Sequence, residues 1–250
     1  MYKTINNVNL NYINYGNKQK DTIVFLHGWG QNIEMMRPIA DPFQKDFNII
    51  IVDLPGHGQS SEPTYAWELY DFVSCIHELL ESLKIKNPPI LVGHSFGGKI
   101  SLLYASTYAV KKLVLFGSPF RKEIKKMSIK TKKPSLKTKV LKKLKTVPGL
   151  NKLEEFAKKH MGSVDYRNAS PIMREVLVNH VNNDITENVK RIKCPTLIVW
   201  GTLDSAVSID DAYLLESLIS DSGVVTYEGC THYAYLERLG QTINVLRSFF

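Results

Sequence analysis

A serine between an apolar run and a helical pattern is the feature that most constrains the fold of this chain. Residues 93–98 read Gly-His-Ser-Phe-Gly-Gly and follow the apolar run 90–92. A turn this tight holds Ser95 in strained backbone geometry with an exposed hydroxyl, and Cβ atoms at the flanking glycines would collide with strand or helix. Gly-x-Ser-x-Gly alone also occurs by chance, so the flanking elements carry the interpretation of Ser95 as a nucleophile.

The rest of the chain alternates apolar runs with helical patterns, which predicts an α/β fold with helices on both faces of a mostly parallel sheet. Residues 8–15 alternate polar and apolar types and predict an antiparallel strand. Helical spacing predicts one helix over residues 69–83 and another around Ile100. Continuous apolar runs, typical of strands buried on both faces, lie at residues 22–26, 48–52, 90–92, 113–116, 196–200 and 224–227.

This alternation stops after residue 118, and no strand-like run follows before residue 196. A structureless loop of that length is uncommon in a compact domain. We therefore expect a helical cap at residues 119–185, inserted into a core formed by residues 1–118 and 186–250. The predicted cap elements are a basic amphipathic stretch within residues 134–149, a helix at 153–159, and a helix with Ser170 as N-cap and Pro171 in its first turn.

Two downstream residues are placed to activate Ser95. A serine hydroxyl is a poor nucleophile at neutral pH and needs a histidine base that an acid orients. Asp204 follows the run 196–200 and His232 follows 224–227, at carboxyl ends of strands where ligands bind in open α/β sheets. Because the order serine, acid, histidine also fits, Ser95, His232 and Asp204 are predicted to form a catalytic triad.

The competing histidines and carboxylates are placed less well. His94 adjoins the serine but should point away from it, and Asp53 ends an earlier strand. Most histidines in proteins have structural roles, which is our interpretation of the others. The further residues assigned to helices or to the cap are His77, His160, His180, Asp210, Asp211 and Asp221.

A glycine-rich loop supplies the remaining part that acyl transfer needs, which is a set of N–H donors for an oxyanion. The run 22–26 ends in His-Gly-Trp-Gly at residues 27–30, although glycine clusters also mark ordinary turns. We assign the donors to the amides of Trp29 and Phe96. Gly28, Trp29 and Phe96 are predicted to line an apolar substrate pocket, with core packing as the alternative for the two bulky side chains. These parts imply no metal and no organic cofactor.

Together the motifs resemble the α/β-hydrolase superfamily over nearly the whole chain. The resemblance implies an eight-stranded sheet with a cap after the sixth strand, and it extends most to small bacterial carboxylesterases, enol-lactonases and carbon–carbon bond hydrolases. Because the nucleophile is serine, it does not extend to the aspartate chemistry of haloalkane dehalogenases or epoxide hydrolases. The segments that carry it are residues 27–30, 53–60, 93–98, 200–204 and 229–232.

The activity predicted from these parts is hydrolysis of small to medium, largely apolar carboxylic esters through an acyl-enzyme, the chemistry of a serine carboxylesterase. A lactonase or a carbon–carbon bond hydrolase would use the same parts. A non-catalytic ligand receptor or a membrane-associated scaffold is the alternative from another class. The expected partner is a small-molecule ester, with the protein a monomer or a dimer.

The net charge of +8 is concentrated in one segment, since residues 121–145 hold 12 basic residues and one acid, Glu123. Nucleic-acid binding is not expected because that segment lacks aromatic residues. Its lysines predict a solvated face, with contact to an anionic membrane surface or an acidic substrate as the alternative. The apolar stripe that would pack over the sheet consists of Leu136, Val140, Leu144 and Val147.

The amino-terminal sequence and the cysteines indicate the compartment. No basic patch leads into an apolar run near Met1, as a secretory signal would require. Cys75, Cys194 and Cys230 are odd in number and contain no Cys-x-x-Cys pair, which predicts buried free thiols rather than disulfides or zinc ligands. A cytoplasmic location is expected.

Overall fold

The computed structural model describes residues 1–122 and 164–250, and these contain one eight-stranded sheet. Its strand order is β1-β2-β4-β3-β5-β6-β7-β8. The β1–β2 and β2–β4 pairs are antiparallel and all other pairs are parallel, which confirms the predicted fold class. The strands are β1 (Tyr2–Ile5), β2 (Val8–Gly16), β3 (Thr22–Leu26), β4 (Asn48–Val52), β5 (Ile90–His94), β6 (Lys112–Phe116), β7 (Thr196–Gly201) and β8 (Ser222–Tyr227).

Helices cover both faces of the sheet. Residues of α2 and α3 belong to the apolar cluster on one face, and residues of α1 and α9 belong to the cluster on the other. The helices are α1 (Arg37–Ala40), α2 (Leu69–Ser82), α3 (Phe96–Thr107), α4 (Val164–Asn168), α5 (Pro171–Asn182), α6 (Thr186–Val189), α7 (Ile209–Leu218), α8 (Ala234–Glu237) and α9 (Leu239–Phe249), with short 3-10 turns at Ile33–Met35 and Asp41–Phe43.

The central strands are buried on both faces because their side chains alternate between the two clusters. In β4, Ile50 and Val52 join one cluster while Ile49 and Ile51 join the other. Burial on both faces was also expected for β8 and was wrong there, because Tyr227 is the only fully buried residue of that strand. β8 lies at the edge of the sheet, beyond β7, so its faces are covered less completely.

The first strand, β1, was not predicted from the residue pattern. It pairs with β2 through a turn in which Asn6 and Asn7 have φ of 49° and 62°. Two consecutive residues at positive φ form the hairpin turn that matches strand twist, and asparagine tolerates that conformation. The two asparagines were the available signal for this hairpin.

Part of the predicted cap lies within the described residues. The side chain of Ser170 caps α5 by accepting a hydrogen bond from the amide of Met173 over 3.2 Å, and Pro171 is the first helical residue. This confirms the predicted start of that helix. The amphipathic stretch within 134–149 and the helix at 153–159 lie outside the described residues, and the division into core and cap stays a prediction.

Two further observations concern the cysteines and the helices. All three cysteines are buried free thiols, as predicted. None of the helices in the described ranges has the length and apolar character that crossing a membrane would require. The cytoplasmic location stays a prediction.

Candidate active site

Ser95 occupies a strained turn between β5 and α3. Its backbone has φ of 50° and ψ of −112°, a region that non-glycine residues rarely adopt. The turn lies so close to β3 that a Cβ on Gly97 would approach the carbonyl oxygen of Leu26 to 2.3 Å. The amide of Ser95 donates to the carbonyl oxygen of Phe116, at the end of β6, over 2.9 Å. These contacts hold the serine at the carboxyl edge of the sheet.

His232 and Asp204 are in contact on loops that follow β8 and β7. The Nδ1 atom of His232 lies 2.7 Å from Oδ2 of Asp204, whose side chain is 1% exposed. The other carboxylate oxygen accepts the amides of Ala206 and Val207 over 2.8 and 2.9 Å. Because the carboxylate accepts a hydrogen bond from Nδ1–H, the lone pair of a neutral His232 lies on Nε2, where it can accept a proton.

Ser95 and His232 lie on either side of the end of β6. A Cβ on Gly117 would come within 2.9 Å of His232 Nδ1, while the preceding residue, Phe116, binds the amide of Ser95. His94 Nε2 also donates to the main-chain oxygen of His232 over 3.1 Å, which ties the two loops together. Ser95 Oγ makes no hydrogen bond within the described residues. In many enzymes such a bond tightens only when substrate binds, and the triad stays a prediction.

The amides of Trp29 and Phe96 are unpaired, in that no acceptor among the described residues receives them. The loop that carries Trp29 is fixed beside the turn of Ser95, because the Gly97 amide donates to the His27 carbonyl over 3.1 Å. Gln31 closes the same loop by accepting the Gly28 amide at its side-chain oxygen over 3.1 Å. These two free N–H groups, one on the loop after β3 and one at the start of α3, fit the predicted donors to an oxyanion.

The side chains predicted to line a pocket differ in exposure. Phe96 is fully buried and packs with its ring centroid 5.3 Å from that of Trp29 and 5.1 Å from that of Phe72. Of the two interpretations left open for Phe96, its ring therefore fits core packing. Trp29 is half-buried, and a Cβ on Gly28 would lie 2.8 Å from His94 Nδ1. A pocket role for Gly28, Trp29 and Phe96 stays a prediction.

Asp53, the carboxylate passed over in favour of Asp204, has a structural position. It is buried and accepts hydrogen bonds from the side chain of Asn11 and the amides of Ile33 and Gln59 at 2.7 to 2.8 Å. Its oxygens join strand β2 to the loops after β3 and β4. This carboxylate organises the sheet edge and makes no contact with His232.

Sequence reasoning missed Lys99 and treated His180 as a structural residue of the cap. The ring of His180 packs against Phe96 at 4.6 Å between centroids, and burial together with the charge of Lys99 holds its pKa well below the usual range. Lys99 is buried in α3 one turn after Ser95. The only sequence signal was a lysine within an otherwise apolar helix segment.

Comparison with known proteins assigns the chain to a family. The sequence profile of a family described as alpha/beta hydrolase fold matches residues 21–239, most of the chain. The chain therefore belongs to the α/β-hydrolase family, which confirms the resemblance found in its motifs.

Individual relatives cover most of the chain as well. It is 27% identical to monoacylglycerol lipase ABHD6 of Mus musculus, over 92% of this chain and 75% of that protein. It is 26% identical to Lipase 1 of Psychrobacter immobilis, over 95% of this chain and 79% of that protein. The solved enol-lactonase of Burkholderia xenovorans LB400 superposes with a TM-score of 0.75 at 19% identity, over 100% of this chain and 99% of that one, a likeness of fold.

Proposed function

We propose that this protein is a serine carboxylesterase that cleaves small to medium, largely apolar esters with Ser95, His232 and Asp204 as its triad. The observation that carries the proposal is the pairing of a strained serine turn with a His232–Asp204 contact of 2.7 Å at the same sheet edge. Strain of this kind persists where the surrounding structure enforces it and clusters at active sites.

The first half of the reaction forms an acyl-enzyme. Ser95 Oγ attacks the ester carbonyl carbon while its proton passes to Nε2 of His232. The carbonyl oxygen becomes an oxyanion that accepts the amides of Trp29 and Phe96. The bond to the alcohol oxygen then breaks, and the alcohol takes the proton from His232.

The second half releases the acid. Water attacks the acyl carbon, its proton passes to His232, and the carboxylic acid leaves as Ser95 recovers its hydrogen. Asp204 accepts a hydrogen bond from the Nδ1–H group of His232 throughout, and the amides of Ala206 and Val207 hold its carboxylate in that orientation. The bond from His94 to the His232 carbonyl keeps the base beside the nucleophile.

The choice of an ester over other acyl compounds is supported by the relatives. The proteins with 26% and 27% identity are named as lipases, and lipases cleave carboxylic esters. A neutral apolar substrate is supported by the apolar surroundings of the two amides, where the half-buried Trp29 packs on the buried Phe96.

Hydrolysis of p-nitrophenyl acetate, butyrate, octanoate and palmitate tests the proposal, with a lactone and a dienone meta-cleavage product assayed in parallel. We expect turnover of at least one ester that disappears in Ser95→Ala. Ser217→Ala is a matched control, because this exposed serine of α7 donates only to the Leu214 carbonyl, and it should hydrolyse esters like the wild type. Cleavage of the lactone or the dienone with no ester cleaved would replace the ester proposal by one of those reactions.

A further inference from the structure

Lys99 is a buried cation outside the proposed triad. It lies in α3, where its amide donates to the Ser95 carbonyl over 3.0 Å, and the residue is 1% exposed. Lysine is almost never fully buried unless its charge is compensated. Burial lowers the pKa of Lys99 to about 8, against the attraction of Asp184, so the side chain is mainly an ammonium at pH 7.

The ammonium is compensated by the end of another helix. Its Nζ donates to the carbonyl oxygens of His180 and Asn183 over 2.8 and 2.5 Å, at the C-terminus of α5. The last carbonyls of a helix have no partner within the helix and carry partial negative charge. Lys99 therefore joins α3, the helix that follows the serine turn, to the C-terminus of α5, 81 residues further along the chain.

The end of α5 carries a ring that borders the proposed oxyanion site. His180 is 7% exposed and packs edge-on against Phe96 at 4.6 Å. Phe96 in turn contacts Trp29. A shift of the C-terminal turn of α5 would therefore change the packing of Phe96 and Trp29 beside the two amides.

The triad and the amides themselves are anchored by other contacts. The Gly97–His27 bond fixes the main chain beside Phe96, and His232 is held by Asp204 and His94. Other contacts also anchor α5, since Ser170 near its start donates to Glu62 over 2.7 Å and Asn179 in its last turn donates to Glu68 over 3.0 Å. Loss of the Lys99 bonds should loosen the end of α5 without displacing the reacting groups.

We propose that Lys99 is a positioning residue, which clamps the C-terminus of α5 to α3 and so holds His180 against Phe96, the buried ring that supports Trp29 beside the proposed oxyanion site. The inference rests on the proposed function for its kinetic consequence. Its structural consequence, the clamping of α5, is measured separately.

Lys99→Met tests the clamp, because methionine keeps much of the side-chain volume and leaves both carbonyls without a donor. By hydrogen exchange at pH 7 we expect amides at residues 179–185 to exchange about tenfold faster or more, with β5 unchanged. For the best p-nitrophenyl ester we expect KM to rise about tenfold, because Trp29 loses part of its support and the substrate then binds beside a less ordered ring. We expect kcat to stay within about threefold of the wild type.

Two further variants separate positioning from general destabilisation. Lys190→Met removes an exposed lysine at the end of α6, paired with Glu187, and should match the wild type. Lys99→Arg restores a charged donor. It should recover most of the exchange protection of residues 179–185 and return KM most of the way to the wild-type value. If Lys99→Met does not fold, Lys99→Gln, which keeps one donor group, carries the test with the same expected direction.

Unchanged exchange at residues 179–185 in a folded Lys99→Met variant would overturn the clamp. A fall in kcat at constant KM, or a Lys99→Arg variant no better than Lys99→Met, would overturn the positioning role. If wild-type protein cleaves no ester but the exchange result holds, the proposed function fails and the clamp stands.

Discussion

Asp204 and His232 are 28 residues apart in sequence, yet a carboxylate oxygen of one lies 2.7 Å from Nδ1 of the other. The pairing of β7 with β8 produces this contact, because the two strands are parallel neighbours and their following loops leave the sheet side by side. The approach is so close that a Cβ on Gly201 would lie 2.3 Å from the Cys230 carbonyl oxygen. Strand pairing thus orients the proposed base.

Asp204→Asn should remove the charge that orients His232 while keeping an acceptor for the amides of Ala206 and Val207. The amide group of asparagine favours the wrong tautomer of the imidazole, so we expect kcat to fall about 10⁴-fold, as in related triads. Thermal unfolding should change little. Asp221→Asn, at an exposed carboxylate near the start of β8, should keep wild-type kcat. Near-normal turnover in Asp204→Asn would remove Asp204 from the triad.

Gly97→Ala should disrupt the serine turn itself. The added Cβ would lie 2.3 Å from the Leu26 carbonyl oxygen and 2.5 Å from that of His27, and overpacking against main chain costs about 3 kcal/mol. Gly240→Ala is the matched change, because it lies in the first turn of α9 with nothing within 4 Å of the new Cβ. Denaturant unfolding of both variants measures the difference. Equal stability of the two variants would contradict the close contact of Gly97 with the carbonyl oxygens of Leu26 and His27.

Much of this site could be predicted from sequence because its signals are local. The glycines around Ser95 record a close approach of main chain at Gly97, and the runs before Asp204 and His232 end where the loops begin. In a parallel sheet those ends share one edge. The order of the residues and the parallel type of the strands were therefore sufficient to predict that His232 and Asp204 lie in contact.

Other features depend on distant partners and left little trace in the sequence. The burial of Lys99 depends on carbonyls of α5, and helical spacing cannot identify that partner. The ring of Phe96 could have faced substrate or core, and its packing on Phe72 and His180 decides for the core. Strand β1 is defined by its pairing with β2. Its four residues are too few to show an alternation of polar and apolar types, so the sequence alone did not predict it.

Stability should fall in mild acid because burial lowers the pKa of four histidines among the described residues, His27, His57, His94 and His180. Burial is the main cause that lowers the pKa of His27 and of His94 from 6.5 to about 3. In His27 both nitrogens are engaged, since Nδ1 donates to the Gly28 carbonyl and Nε2 accepts the Leu54 amide. Above pH 6.5 these two rings are neutral in both the folded and the unfolded protein. Between pH 6.5 and 3 only the unfolded protein binds a proton on them, so acid favours unfolding.

The free energy of unfolding should therefore fall between pH 7 and pH 5, by about 2 kcal/mol for each of His27 and His94. Chemical denaturation at the two values measures it. His77→Asn is the control, because the half-buried His77 ring stacks on Tyr108 away from the site, and this variant should lose as much stability as the wild type. Equal unfolding free energies at pH 7 and pH 5 would contradict the buried neutral imidazoles.

The thiols should be inert in the native protein. Burial raises the pKa of Cys75 to about 12 and also raises that of Cys194, which disfavours the thiolate of both, and Cys230 is buried as well. Since the thiolate is the reactive form, we expect iodoacetamide to modify none of them until guanidinium is added. Rapid alkylation of the folded protein would show that one of these sites opens to solvent.

Covalent capture of the nucleophile tests the central claim most directly. A fluorophosphonate should add one phosphonyl group to the native protein, and peptide mass spectrometry should place it on Ser95. Ser95→Ala should stay unmodified, and Asp204→Asn should react far more slowly, while Ser217→Ala reacts like the wild type. A folded wild type that remains unlabelled, or carries the group on a residue other than Ser95, would contradict the proposed triad.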